Sequence, residues 1–132
     1  MESIPFQNFI DLQWSIGECE VNIAPLQDNQ FSNCKSELKY FEAAVVGTVT
    51  VATPTESFAS AIEDGVDGYL AKSFEWDEKL ESVITKYDSL AELSIRARER
   101  CRDRYGWFNH WRVIESAIAQ LRDAASVLSD VG

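Results

Sequence analysis

Residues 21–52 read VNIAPLQDNQFSNCKSELKYFEAAVVGTVTVA, and they predict a strand, a helix and a second strand in that order. The two ends, Val21 to Leu26 and Thr48 to Ala52, are short apolar runs, and the segment between them has helical spacing. Two strands joined by a helix pair in parallel through a right-handed crossover. The sequence therefore predicts an α/β fold in which a parallel sheet is flanked by helices.

A third strand is predicted further along the chain. Gly65 and Gly68 bracket a turn that leads into Tyr69 to Ala71. Asp64 and Asp67 belong to the same turn, and stabilising it is the simplest role for their carboxylates. The alternation of helices and strands thus continues beyond the first unit.

The end of the chain carries an apolar repeat with alternating spacings of four and three. It comprises Trp107, Trp111, Ile114, Ile118, Leu121, Ala125 and Leu128. This pattern predicts a long amphipathic helix over residues 107–129, following an α/β core that extends to about residue 106. The apolar face is expected either to pack on the chain's own core or to dock on another domain or on a second copy, as a homodimer.

Lys35 and Lys39 are the only basic residues before Lys72. Their spacing predicts that they share a face at the start of a helix beginning around Asn33, beside backbone N–H groups without helical acceptors. The hydroxyl of Ser36 lies between them in the sequence. Because ligands of parallel sheets collect at the carboxyl ends of the strands, the segment predicts an anion site at that edge.

Glu42 continues toward the same helix face one turn later. Its carboxylate can accept hydrogen bonds from hydroxyl groups such as those of a ribose. The alternative interpretation is a helix with an exposed lysine pair and a solvated glutamate. The concentration of the only early cations at a helix start favours the anion site.

These segments resemble the nucleotide-sugar glycosyltransferases of the GT-B fold, in the group of retaining enzymes related to glycogen and sucrose-phosphate synthases. The resemblance runs from about Asp11 to Trp107. That family has a Glu, seven residues and a second Glu in a Leu-Glu-Ala-like context, followed by Gly-x-Pro-Val-Val-Ala. Here Phe41-Glu42-Ala43 and Gly47 to Ala52 match the later part, and Cys34 stands at the position of the first Glu.

The resemblance implies roles for individual residues. Lys35, Ser36 and Lys39 resemble a Lys-Ser-x-x-Lys stretch that lies beside the donor diphosphate in a subgroup of the family. Glu42 matches the second Glu and would hold the ribose of the nucleotide. The loop residues on the sugar side of the donor would be Asn29, Asn33 and Cys34.

The implied protein is a glycosyltransferase with a Rossmann-like donor domain. A complete GT-B enzyme has two such domains facing a cleft, whereas 132 residues bury one ordinary core. We therefore expect residues 1–132 to form a single, partial donor-binding domain of a GT-B C-terminal half. The acceptor domain is expected to be absent from this chain, and the chain alone is expected to be inactive.

Charge and composition exclude several other classes. The formal net charge of −10 argues against nucleic acid as a partner. No apolar run is long enough to span a bilayer, and we expect a cytoplasmic protein. No Asp-x-Asp sequence is present to chelate a metal-bound diphosphate, so the expected substrate is a nucleotide sugar with no metal or other cofactor, and no catalytic residue is identified.

A second hypothesis comes from a different functional class. The same loop and the C-terminal helix would also suit a non-catalytic Rossmann-like module that binds a nucleotide or a partner protein. The replacement at Cys34 and the length of the chain both agree with this alternative.

Overall fold

The structure is a computed structural model that describes the backbone of residues 5–129 and the side chains of residues 5–122. The elements in chain order are α1 (Phe9–Gly17), β1 (Val21–Ala24), α2 (Gln30–Asn33), α3 (Leu38–Val46), β2 (Val49–Ala52), α4 (Glu56–Ala61), β3 (Tyr69–Leu70), α5 (Trp76–Thr85), a 3-10 turn (Tyr87–Ser89), α6 (Leu90–Tyr105) and α7 (Trp107–Ser129). Residue contacts divide the chain into two compact units, residues 1–101 and 102–132, which are described separately.

The sheet of the first unit confirms the predicted α/β fold. Its described strands lie in the order β1, β2, β3, and both pairs are parallel. In the first pair Val21 lies opposite Val49, and in the second Val51 lies opposite Tyr69. All four residues of β2 are buried, as expected for a parallel strand covered by helices on both faces.

The core is built from the sheet and the helices that follow it. One cluster joins β2 and β3 to α5 and α6, and its buried members are Val49, Val51, Tyr69, Ala71, Val83, Leu90 and Leu93. In α3, Tyr40, Ala43 and Ala44 are buried, and this helix packs beside β2 and α1. The sheet is therefore covered along its central strand.

The predicted start of the helix between β1 and β2 is wrong. The helix expected to begin around Asn33 is instead two helices, because α2 ends at Asn33 and α3 begins at Leu38. The side chain of Asn29 accepts a hydrogen bond from the Ser32 N–H at 2.8 Å and so starts the short α2. Residues 34–37 then turn the chain before α3, so Lys35 and Ser36 precede the helix and only Lys39 belongs to it.

The turn before β3 uses both of its aspartates, as predicted. Asp67 is buried, and its Oδ1 accepts from the Glu63 N–H at 2.9 Å while its Oδ2 lies 2.9 Å from Nη1 of Arg100. Asp64 Oδ1 accepts from the Leu70 N–H at 2.8 Å. The two carboxylates thus join the turn to β3 and to α6.

The second unit contains α7. This helix has 23 residues and a length of about 34 Å at 1.5 Å per residue. Its described seam residues Trp107, Trp111, Ile114, Ile118 and Leu121 are all exposed. The predicted seam positions Ala125 and Leu128 lie outside the described side chains.

Gly68 is expected to be intolerant of a side chain. A Cβ atom at this position would lie 3.0 Å from the carbonyl oxygen of Thr50 and 3.0 Å from Cγ2 of Ile62. We predict that Gly68→Ala lowers the free energy of unfolding by about 1–3 kcal/mol through overpacking, measured by urea denaturation. Gly17→Ala is the control, because its Cβ would meet Val46 at an ordinary 3.4 Å, and an equal loss in both variants would contradict the close approach at Gly68.

Candidate functional site

The candidate site lies where β1 leads into α2 and α3. Helices that connect parallel strands begin at the carboxyl edge of the sheet, so the start of α3 lies at that edge. The first helical bonds of α3 run from the N–H groups of Tyr40 and Phe41 to the carbonyl of Glu37. The N–H groups of Leu38 and Lys39 therefore precede the helical hydrogen bonds and point out of the helix end.

The start of α3 is attached to the sheet by Asn22. The Asn22 amide donates to the carbonyl oxygen of Lys39 at 3.3 Å and to Oγ1 of Thr50 at 3.1 Å. One side chain on β1 thus connects the first turn of α3 to β2. Asn22 was not predicted as a contact residue, although a polar residue within an apolar strand is a signal that such a position holds a specific partner.

The residues predicted to bind the diphosphate lie in the turn before α3 and in the first turn of this helix. Lys35 and Ser36 are exposed and lie just before the N-cap residue Glu37, whose side chain makes no capping hydrogen bond. The Lys35 ammonium lies 4.8 Å from the centre of the Phe31 ring. Lys39 is exposed on α3, so the three residues flank the open end of this helix.

Glu42 is half-buried and lies three residues after Lys39, which places the two residues on one face of α3. Among the side chains of residues 5–122, neither the Glu42 carboxylate nor the Lys39 ammonium has a hydrogen-bonding or ionic partner. A charged group of each sign is therefore available to a ligand at this face.

The predicted sugar-side residues have structural contacts. Besides Asn29, which starts α2, Asn33 donates to Oδ1 of Asp28 at 3.0 Å and accepts from the Glu56 N–H at 2.9 Å. The N-cap residue of α4, Thr55, makes no capping hydrogen bond through its side chain, and Asn33 supplies one to the first turn of α4 instead. Cys34 is exposed at the end of α2. The two asparagines fix the loop that leads to α3.

Tyr40 anchors the inner side of α3. It is 1% exposed, and burial is the main cause that raises the pKa of its hydroxyl, with smaller contributions from the Cys101 thiol and the Asp67 carboxylate. The hydroxyl therefore stays protonated across the physiological pH range. Because Lys39 precedes Tyr40, the buried ring fixes the side of the helix from which Lys39 and Glu42 project.

A depression at the same edge of the sheet was not predicted. It has a volume of about 510 Å³ and is lined by Pro54, Asp64, Leu70, Lys72, Glu75, Glu78, Lys79 and Ser82. Lys79 lies 3.0 Å from Oδ2 of Asp64, so this cation is already paired. With Glu75 and Glu78 also present, the depression is less suited to a diphosphate than the start of α3.

The described residues show two further absences. Within residues 5–129 no group of three or more His, Cys, Asp and Glu residues is arranged to hold a metal ion. No helix in that range combines the length and the apolar character that crossing a membrane requires.

Comparison by sequence identifies no relative, since no family model and no curated protein matches the chain. Two solved structures match its fold. The C-terminal domain of the glycosyl transferase group 1 family protein LpcC from Francisella tularensis superimposes with a TM-score of 0.63 at 17% identity, over 81% of this chain and 53% of that one. Anabaena Alr3699/HepE in complex with UDP gives a TM-score of 0.60 at 18% identity, over 80% of this chain and 29% of that one.

These matches confirm the predicted fold. The chain spans about half the length of the LpcC domain and less than a third of HepE. Identities of 17% and 18% establish the architecture and leave individual residues to be judged by their own geometry. The α/β unit of this protein has the fold of part of the C-terminal domain of group 1, GT-B glycosyltransferases.

Proposed function

We propose that this chain is the donor-binding part of a glycosyltransferase, with the site at the start of α3. Lys35, Ser36 and Lys39 would bind the diphosphate of a nucleotide sugar, and Glu42 would accept hydrogen bonds from the ribose. The observation that carries the proposal is the open start of α3, which lies at the carboxyl edge of the sheet and is flanked by Lys35 and Lys39, the only basic residues before Lys72. The fold that contains this sheet is shared with glycosyltransferase domains. One of those neighbours is a complex with UDP.

Electrostatics explain how an acidic chain can hold an anion at this position. The net charge of −10 is distributed over the whole chain, and at physiological salt each charge is screened beyond about 8 Å. Lys35 and Lys39 lie next to the bound diphosphate in the proposed complex, well inside that distance. The positive end of the α3 dipole, equivalent to roughly half an elementary charge, adds to their attraction.

The same groups would assist bond cleavage. When the bond between the sugar and the phosphate breaks, negative charge develops on the departing diphosphate and the sugar becomes oxocarbenium-like. The Leu38 and Lys39 N–H groups are fixed by α3 before the reaction, and preorganised donors lower the barrier where charge develops. The two ammonium groups would add positive charge beside them. The proposed reaction is a metal-independent, retaining transfer of a sugar to an acceptor in saccharide or glycan biosynthesis.

The second candidate is a non-catalytic module that binds a nucleotide or a protein through the same loop. Cys34 favours it, because the thiol stands at the position of the family's first Glu and cannot accept hydrogen bonds from sugar hydroxyls as a carboxylate does. Titration with UDP and with intact UDP-sugars distinguishes the two candidates. For a donor site we expect tighter binding of the UDP-sugar than of UDP, whereas a nucleotide-only module gains nothing from the sugar.

The lysine pair provides the first test of the site. Replacing Lys35 and Lys39 together by Gln is expected to weaken UDP binding by about 100-fold or more, since each charge-assisted hydrogen bond contributes about 1.5–3 kcal/mol. Isothermal titration calorimetry in the presence of EDTA measures the change without a metal. Lys86→Gln, at an exposed lysine beyond α5, is the matched control. Equal affinity of all three proteins would refute the site.

The ribose contact of Glu42 is tested with a ligand lacking the ribose hydroxyls. The unmodified chain should prefer UDP over 2′,3′-dideoxy-UDP by about 10-fold or more, because the Glu42 carboxylate loses its donors in the second ligand. In Glu42→Ala the two affinities should become nearly equal. A preference that survives the substitution would assign the ribose to another residue.

The isolated 132-residue chain is expected to bind a nucleotide sugar without transferring the sugar. An acceptor held against the donor supplies a large part of the rate enhancement, up to about 7–11 kcal/mol of the barrier. One α/β unit forms only one wall of such a cleft. A radiolabelled-sugar transfer assay with candidate acceptors measures the activity, and efficient turnover by this chain alone would contradict the expectation.

A further inference from the structure

One side of α7 carries an exposed apolar stripe with the spacing of a coiled-coil seam. Its described apolar positions are Trp107, Trp111, Ile114, Ile118 and Leu121, which are between 41% and 71% exposed. Spacings of four and three residues are those of a coiled-coil seam, in which such side chains pack between the residues of a facing helix. The surface is therefore shaped for another helix with the same repeat.

We propose that this surface pairs with α7 of a second copy of the chain in an antiparallel two-helix coiled coil. In the register that places Ile118 opposite Leu121 of the second copy, the symmetry of the pair also places Leu121 opposite the second Ile118. The same register sets Ile114 opposite position 125 and Trp111 opposite position 128, where the sequence has Ala and Leu. In this register the apolar sequence positions from 111 to 128 face one another, whereas Trp107 lies beyond the overlap, because its counterpart would be position 132, after the end of α7.

Charge complementarity supports this occupant and this orientation. Glu115 and Arg122 are exposed and flank the same side of the seam, seven residues apart. In the antiparallel register, Glu115 of each copy lies beside Arg122 of the other, which gives two equivalent ion pairs across the dimer axis. Glu115 and Arg122 both belong to α7, so a second copy of the chain can supply the oppositely charged partner of each.

A parallel pair fits the same residues less well. Parallel coiled coils bring the two flanks of the seam together, so Glu115 would face His110 and Arg122 would face Ala117 of the second copy. Arg122 would then have no carboxylate beside it. In the antiparallel pair, the side of the seam that carries Ala117 faces the same side of the second copy. The small side chain of Ala117 allows the two helices to approach closely there.

Charge reversal in the full chain tests the proposal. Sedimentation velocity should show a concentration-dependent dimer for the unmodified protein. Glu115→Arg alone and Arg122→Glu alone should each raise the dimer dissociation constant on the order of 10-fold, because two like-charge contacts replace two ion pairs. The double variant E115R/R122E should restore the original dimer, and an equimolar mixture of the two single variants should form heterodimers in native mass spectrometry.

Arg112→Glu is the control, because it makes the same charge change as Arg122→Glu at a position outside the seam flanks. It should leave the dimer unchanged. A protein that is monomeric at every concentration, or a dimer that both single variants leave intact, would overturn the proposal.

The double variant Ile118→Ser with Leu121→Ser tests the alternative in which α7 packs on the chain's own α/β unit. That alternative predicts that the protein is a monomer and that the double substitution lowers its melting temperature by a large amount. This test requires no nucleotide and is independent of the proposed function.

Discussion

The burial of β2 between two parallel neighbours is the constraint on which the α/β unit depends. Its four residues are buried, so its backbone groups have no access to water and must be paired within the sheet. Pairing on both edges fixes β1 and β3, and the apolar side chains on its two faces require covering helices. The helix that joins β1 to β2 must therefore begin at the carboxyl edge of the sheet, where the candidate site lies.

Asn22 converts this arrangement into a fixed position for the start of α3. Its amide group reaches both Thr50 on the buried strand and the Lys39 carbonyl on the helix. The ring of Tyr40 is buried in the core and opposes rotation of α3 about its axis. The backbone N–H groups at the start of α3 consequently have a defined orientation before any ligand arrives, which reduces the ordering cost of binding.

The sequence predicted the sheet because its strands are short apolar runs separated by clear turn signals. The start of α3 could not be predicted in the same way. Asn29 caps the start of the short α2, and Asn33 at its end accepts from the Glu56 N–H, so α2 is a separate helix held in place before α3. The partner of Asn33 is 23 residues away in the chain, so only the folded structure reveals this contact. The partners of Asn22 were hidden for the same reason.

The most direct test of the central claim is to locate the bound diphosphate on the backbone. Two-dimensional ¹H–¹⁵N NMR spectra of the chain, recorded during titration with UDP and separately with uridine, report each amide individually. The account predicts that UDP, and not uridine, produces its largest shifts at the amides of Ser36, Leu38 and Lys39. Shifts confined to the depression around Lys72 and Lys79, or equal responses to both ligands, would contradict it.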